Sequence, residues 1–200
     1  GEKFGINIYE AIDAAKTKPF GYQAFYPGPG VGGHCIPVDP YFLTWKANEY
    51  GTKTKFIKLA GEINESRPAA VVKDLFSYFK KKDLSKLKCL VLGLSYKKNS
   101  DDTRMSPSIE ILKLISSKIK KELYVYDHCI KKNDTAYKNY KKIDTRKMKK
   151  NFLKKLDFIL ILTDHDGLDY SYLRKNTNMI FDTRNLYKNH INKFKNVIEI

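Results

Sequence analysis

The chain has 200 residues, with 38 lysines and arginines against 22 aspartates and glutamates, giving a net charge of +16. That length buries a sizeable core, and no apolar run nears the roughly 20 residues of a membrane helix, nor is there a signal peptide, so a soluble cytoplasmic protein with no membrane partner is expected. The lysines lie in short exposed runs such as 80–82 without an RNA-binding or helix-turn-helix signature, and the odd count of three cysteines at unrelated spacings argues against a disulfide framework or zinc site. No nucleic-acid partner and no metal are expected.

In chain order, an amphipathic pattern beginning at Phe4 predicts a helix to about Ala15, entered without an initiating methionine or a cap; Gly1 reads as an added remnant. A loop spans residues 16–38, and a helix is expected from Pro40 to about Tyr50. A longer helical stretch covers about 54–82, with Pro68 either kinking it or starting a second helix after Ser66. Its stripe of Phe56, Leu59, Ala60, Ile63, Val71, Val72, Leu75, Phe76 and Phe79 reads as core or dimer interface.

From Lys86 onward, short apolar runs alternate with helical patterns. Residues 87–92, 123–127, 157–162, 179–182 and 197–200 read as strands, and Ser106 with Pro107 caps a helix to about Lys118. The alternation predicts an α/β fold: a Rossmann-like doubly wound parallel sheet over residues 84–200, preceded by a helical segment over residues 1–83. Such sheets bind ligands beyond the carboxyl ends of their strands, where the loop 95–106 and the turn 182–185 fall. Lys97, the forked donor Arg184 and the helix start at Ser106 suit a nucleoside diphosphate there.

The most informative segment is residues 25–41. Four glycines, at 28, 30, 32 and 33, surround Cys35 and run into Asp39 and Pro40, read as a helix N-cap and first turn. A cysteine just outside a helix N-terminus favours the thiolate, the reactive species. Asp39 can orient water or be only the cap; His34 reads as structural. Cys89 and Cys129 read as small buried apolar residues.

Residues 27–43 resemble the catalytic-cysteine segment of the UDP-glucose/GDP-mannose dehydrogenase family. Residues 92–107 resemble the loop that opens the family's C-terminal nucleotide-binding domain, and 180–185 its late strand ending in D-x-R-N. The resemblance implies NAD-dependent oxidation of a nucleotide-sugar C6 hydroxyl to a uronate for surface polysaccharide synthesis, through a thiohemiacetal and thioester on Cys35 with Asp39 handling protons. It implies substrate binding by Phe25, Tyr26, Gly28, Gly30, Gly32, Gly33, Tyr96, Lys97 and Arg184, and cofactor contacts from Cys35 and Arg104, for which an ion pair with Asp101 or Asp102 is the alternative. UDP-N-acetylglucosamine is the expected substrate, with UDP-glucose and UDP-N-acetylmannosamine as alternatives. A homodimer through the helical segment is expected. The family's N-terminal NAD-binding domain, with its G-x-G-x-x-G turn and catalytic lysine, is not recognised here, so the chain is read as the C-terminal part of a longer enzyme, inactive alone. Rival readings are a non-catalytic nucleotide-sugar-binding module and a thiol hydrolase using Cys35 with His34 or His128.

Overall fold

The computed structural model describes residues 4–131, 134–187 and 194–200; the remnant expected at Gly1 lies outside them. Helix α1, Ile8–Lys16, is capped after all: the Asn7 side chain accepts the amides of Tyr9 and Glu10. A stretch without regular structure leads to α2, Asp39–Glu49, and then to α3, Lys55–Ser77.

Helix α3 runs through Pro68 without breaking and ends five residues short of the expected Lys82. Proline there removes one backbone hydrogen bond, but the turns beyond it are pinned by Val71 and Leu75, both fully buried. The apolar stripe is therefore divided. Its C-terminal half is core, whereas Phe56 is 84% exposed and Leu59 and Ile63 lie more than half in solvent.

The remaining elements are β1 (Lys88–Leu92), α4 (Pro107–Lys118), β2 (Glu122–Tyr126), β3 (Lys141–Lys142), α5 (Lys150–Leu153), β4 (Phe158–Ile161), α6 (Tyr170–Asn176), β5 (Ile180–Asp182) and β6 (Val197–Glu199). All six strands pair in parallel, in the order β3-β2-β1-β4-β5-β6. This is the Rossmann-like α/β sheet the sequence predicts.

Period-two alternation splits the core between the two sheet faces. Cys89, Val91, Val125, Phe158, Leu160 and Phe181 pack with Val71 and Leu75 of α3 and Ile111 and Ile115 of α4. Leu90, Leu92, Ile159, Ile161 and Ile180 pack with Leu153 and Leu173 on the other side. Phe79 and Phe181 flank Phe158 at ring-centroid distances of 5.2 and 5.6 Å, which fixes the end of α3 to the sheet. The N-terminal half of α3 thus projects past the sheet's edge and carries the glycine-lined loop.

Candidate functional site

Three contacts lay that loop over the carboxyl ends of the strands. On α3, the Asn64 amide clamps Val31 like a strand partner: the Val31 N–H donates to Oδ1 at 2.6 Å and Nδ2 donates to the Val31 carbonyl at 3.2 Å. The Tyr9 hydroxyl donates to the Pro27 carbonyl at 3.1 Å; burial pushes its pKa up to about 12, which keeps it a donor. The Gly33 N–H donates to the Arg104 carbonyl at 3.0 Å.

Close approach explains two of the glycines. A Cβ on Gly32 would lie 2.5 Å from the Tyr96 Cβ and 2.8 Å from the Met105 carbonyl oxygen. Gly33 has φ +88° and faces the Tyr96 ring, so an L side chain is excluded on both counts. The loop thereby closes a cleft of about 470 Å³, lined by Tyr26, Gly28, Gly30 and Gly32 on one side and by Tyr96, Lys97 and Arg184 on the other.

Arg184 follows β5, whose last residue, Asp182, is buried and accepts the Arg184 and Tyr187 amides at 2.9 and 3.2 Å. The Arg184 Nε donates to the Leu162 carbonyl at 2.7 Å, which aims the guanidinium at the loop: its Nη1 stands 2.8 Å from where a Gly28 Cβ would be. Lys97 is exposed at the mouth. The donors thus face backbone rather than bulky side chains.

Cys35 is exposed in the turn before α2. The expectation that Asp39 caps this helix is corrected. The turn is already helical, with the Val38 and Asp39 amides donating to the His34 and Cys35 carbonyls, so Val38 is the N-cap and Asp39 the first helical residue. The Asp39 carboxylate pairs instead with His34 Nδ1 at 3.2 Å. Phe25 is 74% exposed and does not line the cleft. Arg104 makes the anticipated ion pair: its Nη2 lies 2.6 Å from the Asp102 carboxylate. Its pKa is raised first by that hydrogen bond and then by the charge of Asp102.

Sequence reading missed the group that holds the loop after β1. Asp127, buried at the end of β2, accepts four main-chain amides, from Leu94, Ser95, Cys129 and Ile130, at 2.6 to 3.1 Å. Its Oδ2 lies 3.0 Å from Nε2 of His165, which follows β4 and is 1% exposed. His165 Nδ1 accepts the Asn99 N–H at 3.0 Å, so the ring proton sits on Nε2 and is donated to Asp127. Burial pushes the Asp127 carboxyl pKa up, but the His165 hydrogen bond and the Ser95 and Leu94 amides outweigh it, and the net shift is downward. Cys129 is half-buried, not fully buried as expected, with its sulfur 3.4 Å from His165 Nδ1. Asp127, Cys129 and His165 come close enough to share a metal. The carboxylate and thiol face opposite ring nitrogens, however, and the carboxylate oxygens already hold four amides, so the donor set is closed on itself.

The same cluster bears on NAD. A dinucleotide fold meets pyrophosphate with a G-x-G-x-x-G turn after its first strand and a ribose with an acid at the end of its second. Here one glycine, Gly93, follows β1, and Asp127 is taken up by amides and His165. Among the described residues, no dinucleotide site is built on this sheet.

A parallel sheet with cationic donors at its carboxyl edge and a thiol-bearing loop laid over it defines a Rossmann-like nucleotide-binding unit. Residues 1–66 match the UDP-glucose/GDP-mannose dehydrogenase family, central domain, and residues 90–189 its UDP binding domain. The chain belongs to that family. It is 30% identical over 95% of its length to a UDP-N-acetyl-D-mannosamine dehydrogenase of Methanococcus maripaludis, of which it covers 43%. Among solved structures, a UDP-D-ManNAc dehydrogenase from Pyrococcus horikoshii matches 99% of the chain at 32% identity with a TM-score of 0.76, the chain covering 45% of it. The UDP-N-acetyl-mannosamine dehydrogenase of Staphylococcus aureus matches 98% at 34% identity with a TM-score of 0.70, the chain covering 44% of it. The chain therefore spans under half the length of these relatives.

Proposed function

We propose that the chain is the nucleotide-sugar-binding, thiol-bearing part of an NAD-dependent UDP-sugar 6-dehydrogenase serving surface polysaccharide synthesis. The observation that supports this reading is the closure of the glycine-lined loop onto Tyr96, Lys97 and Arg184, which sets phosphate donors against loop backbone in one cleft; Cys35 follows that loop in the chain and is exposed outside the cleft lining. In this reading Lys97 and Arg184 take the diphosphate, the backbone of residues 28–33 follows the sugar, and Cys35 stands near C6. Addition of Sγ to a C6 aldehyde forms a C–S bond as the carbonyl electron pair moves to oxygen; in this reading the thiol proton passes to the His34–Asp39 pair and from there to that oxygen, so the pair ends unchanged. NAD is the acceptor the family implies, and its site is not built from the described residues of this sheet.

The sequence motifs favour UDP-N-acetylglucosamine, whereas the relatives are named for UDP-N-acetylmannosamine, so we put that 2-acetamido sugar first. Calorimetric titration of the chain with UDP-N-acetylmannosamine, UDP-N-acetylglucosamine, UDP-glucose and GDP-mannose tests this. One-to-one binding is expected for UDP sugars, tightest for the first; equal affinity for GDP-mannose, or no binding, counts against it.

The expected homodimer fits the exposed apolar side chains Phe42, Trp45, Phe56 and Leu59 on α2 and α3, which a second copy of the chain would cover. Sedimentation equilibrium should give twice the 23.2 kDa chain mass, and Leu59→Glu should shift it toward the monomer. A monomeric wild-type chain would remove this part of the reading. No helix among the described residues is long and apolar enough to cross a membrane.

A further inference from the structure

The cleft has a third cation that neither the sequence motifs nor the family resemblance assigns. Arg67 lies on α3 three residues beyond Asn64, hence on the same helix face, and lines the cleft with Lys97 and Arg184. It is half-buried and, among the described residues, makes no side-chain hydrogen bond or ion pair.

No acid among the described residues lines the cleft: Glu199, beside Asp182 in the β5–β6 register, lies outside its lining, and the other acids of this edge are engaged. Asp164 and Asp166 pair with Lys98, and Asp102 pairs with Arg104. Asp182 holds the Arg184 and Tyr187 amides. Arg67, Lys97 and Arg184 thus bring three positive charges to one partly desolvated cleft with no carboxylate in contact. Like charges so placed repel and lose hydration, a cost that a bound polyanion offsets. A guanidinium is suited to this because its planar fork gives two parallel donors to a phosphate.

We infer that Arg67 is a phosphate-binding residue of the cleft, reaching the diphosphate from α3 while Lys97 and Arg184 reach it from the sheet edge. The inference rests on the reading of the cleft as a UDP-sugar site. Helix α3 then acts twice, since Asn64 fixes the loop that covers the ligand and the next turn of the same helix holds the ligand's charge.

The test compares uridine, UMP and UDP as ligands of the full chain and its Arg67→Met and Arg67→Lys variants, by calorimetry. Arg67→Met is expected to weaken UDP roughly ten- to hundred-fold, the range for one charge-assisted contact, and to leave uridine unchanged. Arg67→Lys should recover part of the loss. A residue that only supports the fold would weaken uridine and UDP by the same factor, and that result overturns the inference, as does a UDP affinity unchanged in Arg67→Met. Failure of the wild-type chain to bind UDP overturns the reading of the site itself, and is distinguishable because it precedes any substitution.

Discussion

Replacing Asp127 by alanine is expected to cost about 4 kcal/mol or more of folding stability, because each buried donor left without its acceptor costs about 1–3 kcal/mol. The substitution strands four amides and the Nε2 proton of His165 in a site closed to water. With domain stabilities of about 5–15 kcal/mol, the variant should lie near the threshold of folding. Urea titration checks this; an unchanged midpoint would mean that the cluster does not hold the fold together. A pH dependence follows. The Asp127 carboxyl pKa lies below its ordinary 3.8 in the native state, so the stability it contributes is complete above about pH 4 and is lost as the pH falls toward the depressed native value. Asp182 acts in the opposite sense: burial raises its pKa, so its contribution is present at low pH and declines as the pH rises through the raised value. Acid sensitivity removed by Asp127→Asn, but not by Asp182→Asn, would assign the low-pH limb to Asp127.

Gly32→Ala is expected to abolish nucleotide-sugar binding while leaving the sheet folded. The added methyl meets the Tyr96 Cβ at 2.5 Å, the Met105 carbonyl at 2.8 Å and the Pro107 ring at 3.0 Å. Two of these neighbours belong to the backbone or the root of a side chain and have little freedom to move, because the loop after β1 is tied to Asp127 and His165. The covering loop must lift instead, which breaks the Gly33–Arg104 hydrogen bond and separates the glycine backbone from Lys97 and Arg184. Calorimetry with UDP, alongside circular dichroism, checks both halves. Undiminished binding would show that the loop does not close the cleft in solution.

The parts of this architecture that were legible in the sequence are those governed by local rules. Short apolar runs placed β1, β2, β4, β5 and β6, and the Ser106 cap with Pro107 marked the start of α4, as the structure bears out. The segments that carry the site residues were also visible, and the structure brings Gly28, Gly30, Gly32, Tyr26, Tyr96, Lys97 and Arg184 to one cleft. What escaped depends on tertiary partners. Strand β3 is two lysines, Lys141 and Lys142, recruited by β2 rather than by any apolar pattern. Helix α3 survives Pro68 because the sheet holds the turns beyond it. His165 and Asp127 are separated by 38 residues, and neither neighbourhood signals the other. Arg67 resembles any exposed helical arginine until the fold turns it toward Arg184; the one hint was its place three residues after Asn64, on a helix following a glycine-rich loop.

Whether the nucleotide sugar lies under the Cys35 loop is decided by a crystal structure of the chain with UDP-N-acetylmannosamine, because a second concavity of about 730 Å³, between α2, α3 and the start of α4, offers an alternative place. Density for the diphosphate is expected between Lys97 and Arg184, with the sugar running along residues 28–33 and its C6 toward the Cys35 sulfur. A nucleotide sugar seated in the second concavity, beside Phe56 and Glu110, with the first cleft empty, would overturn the assignment of the site.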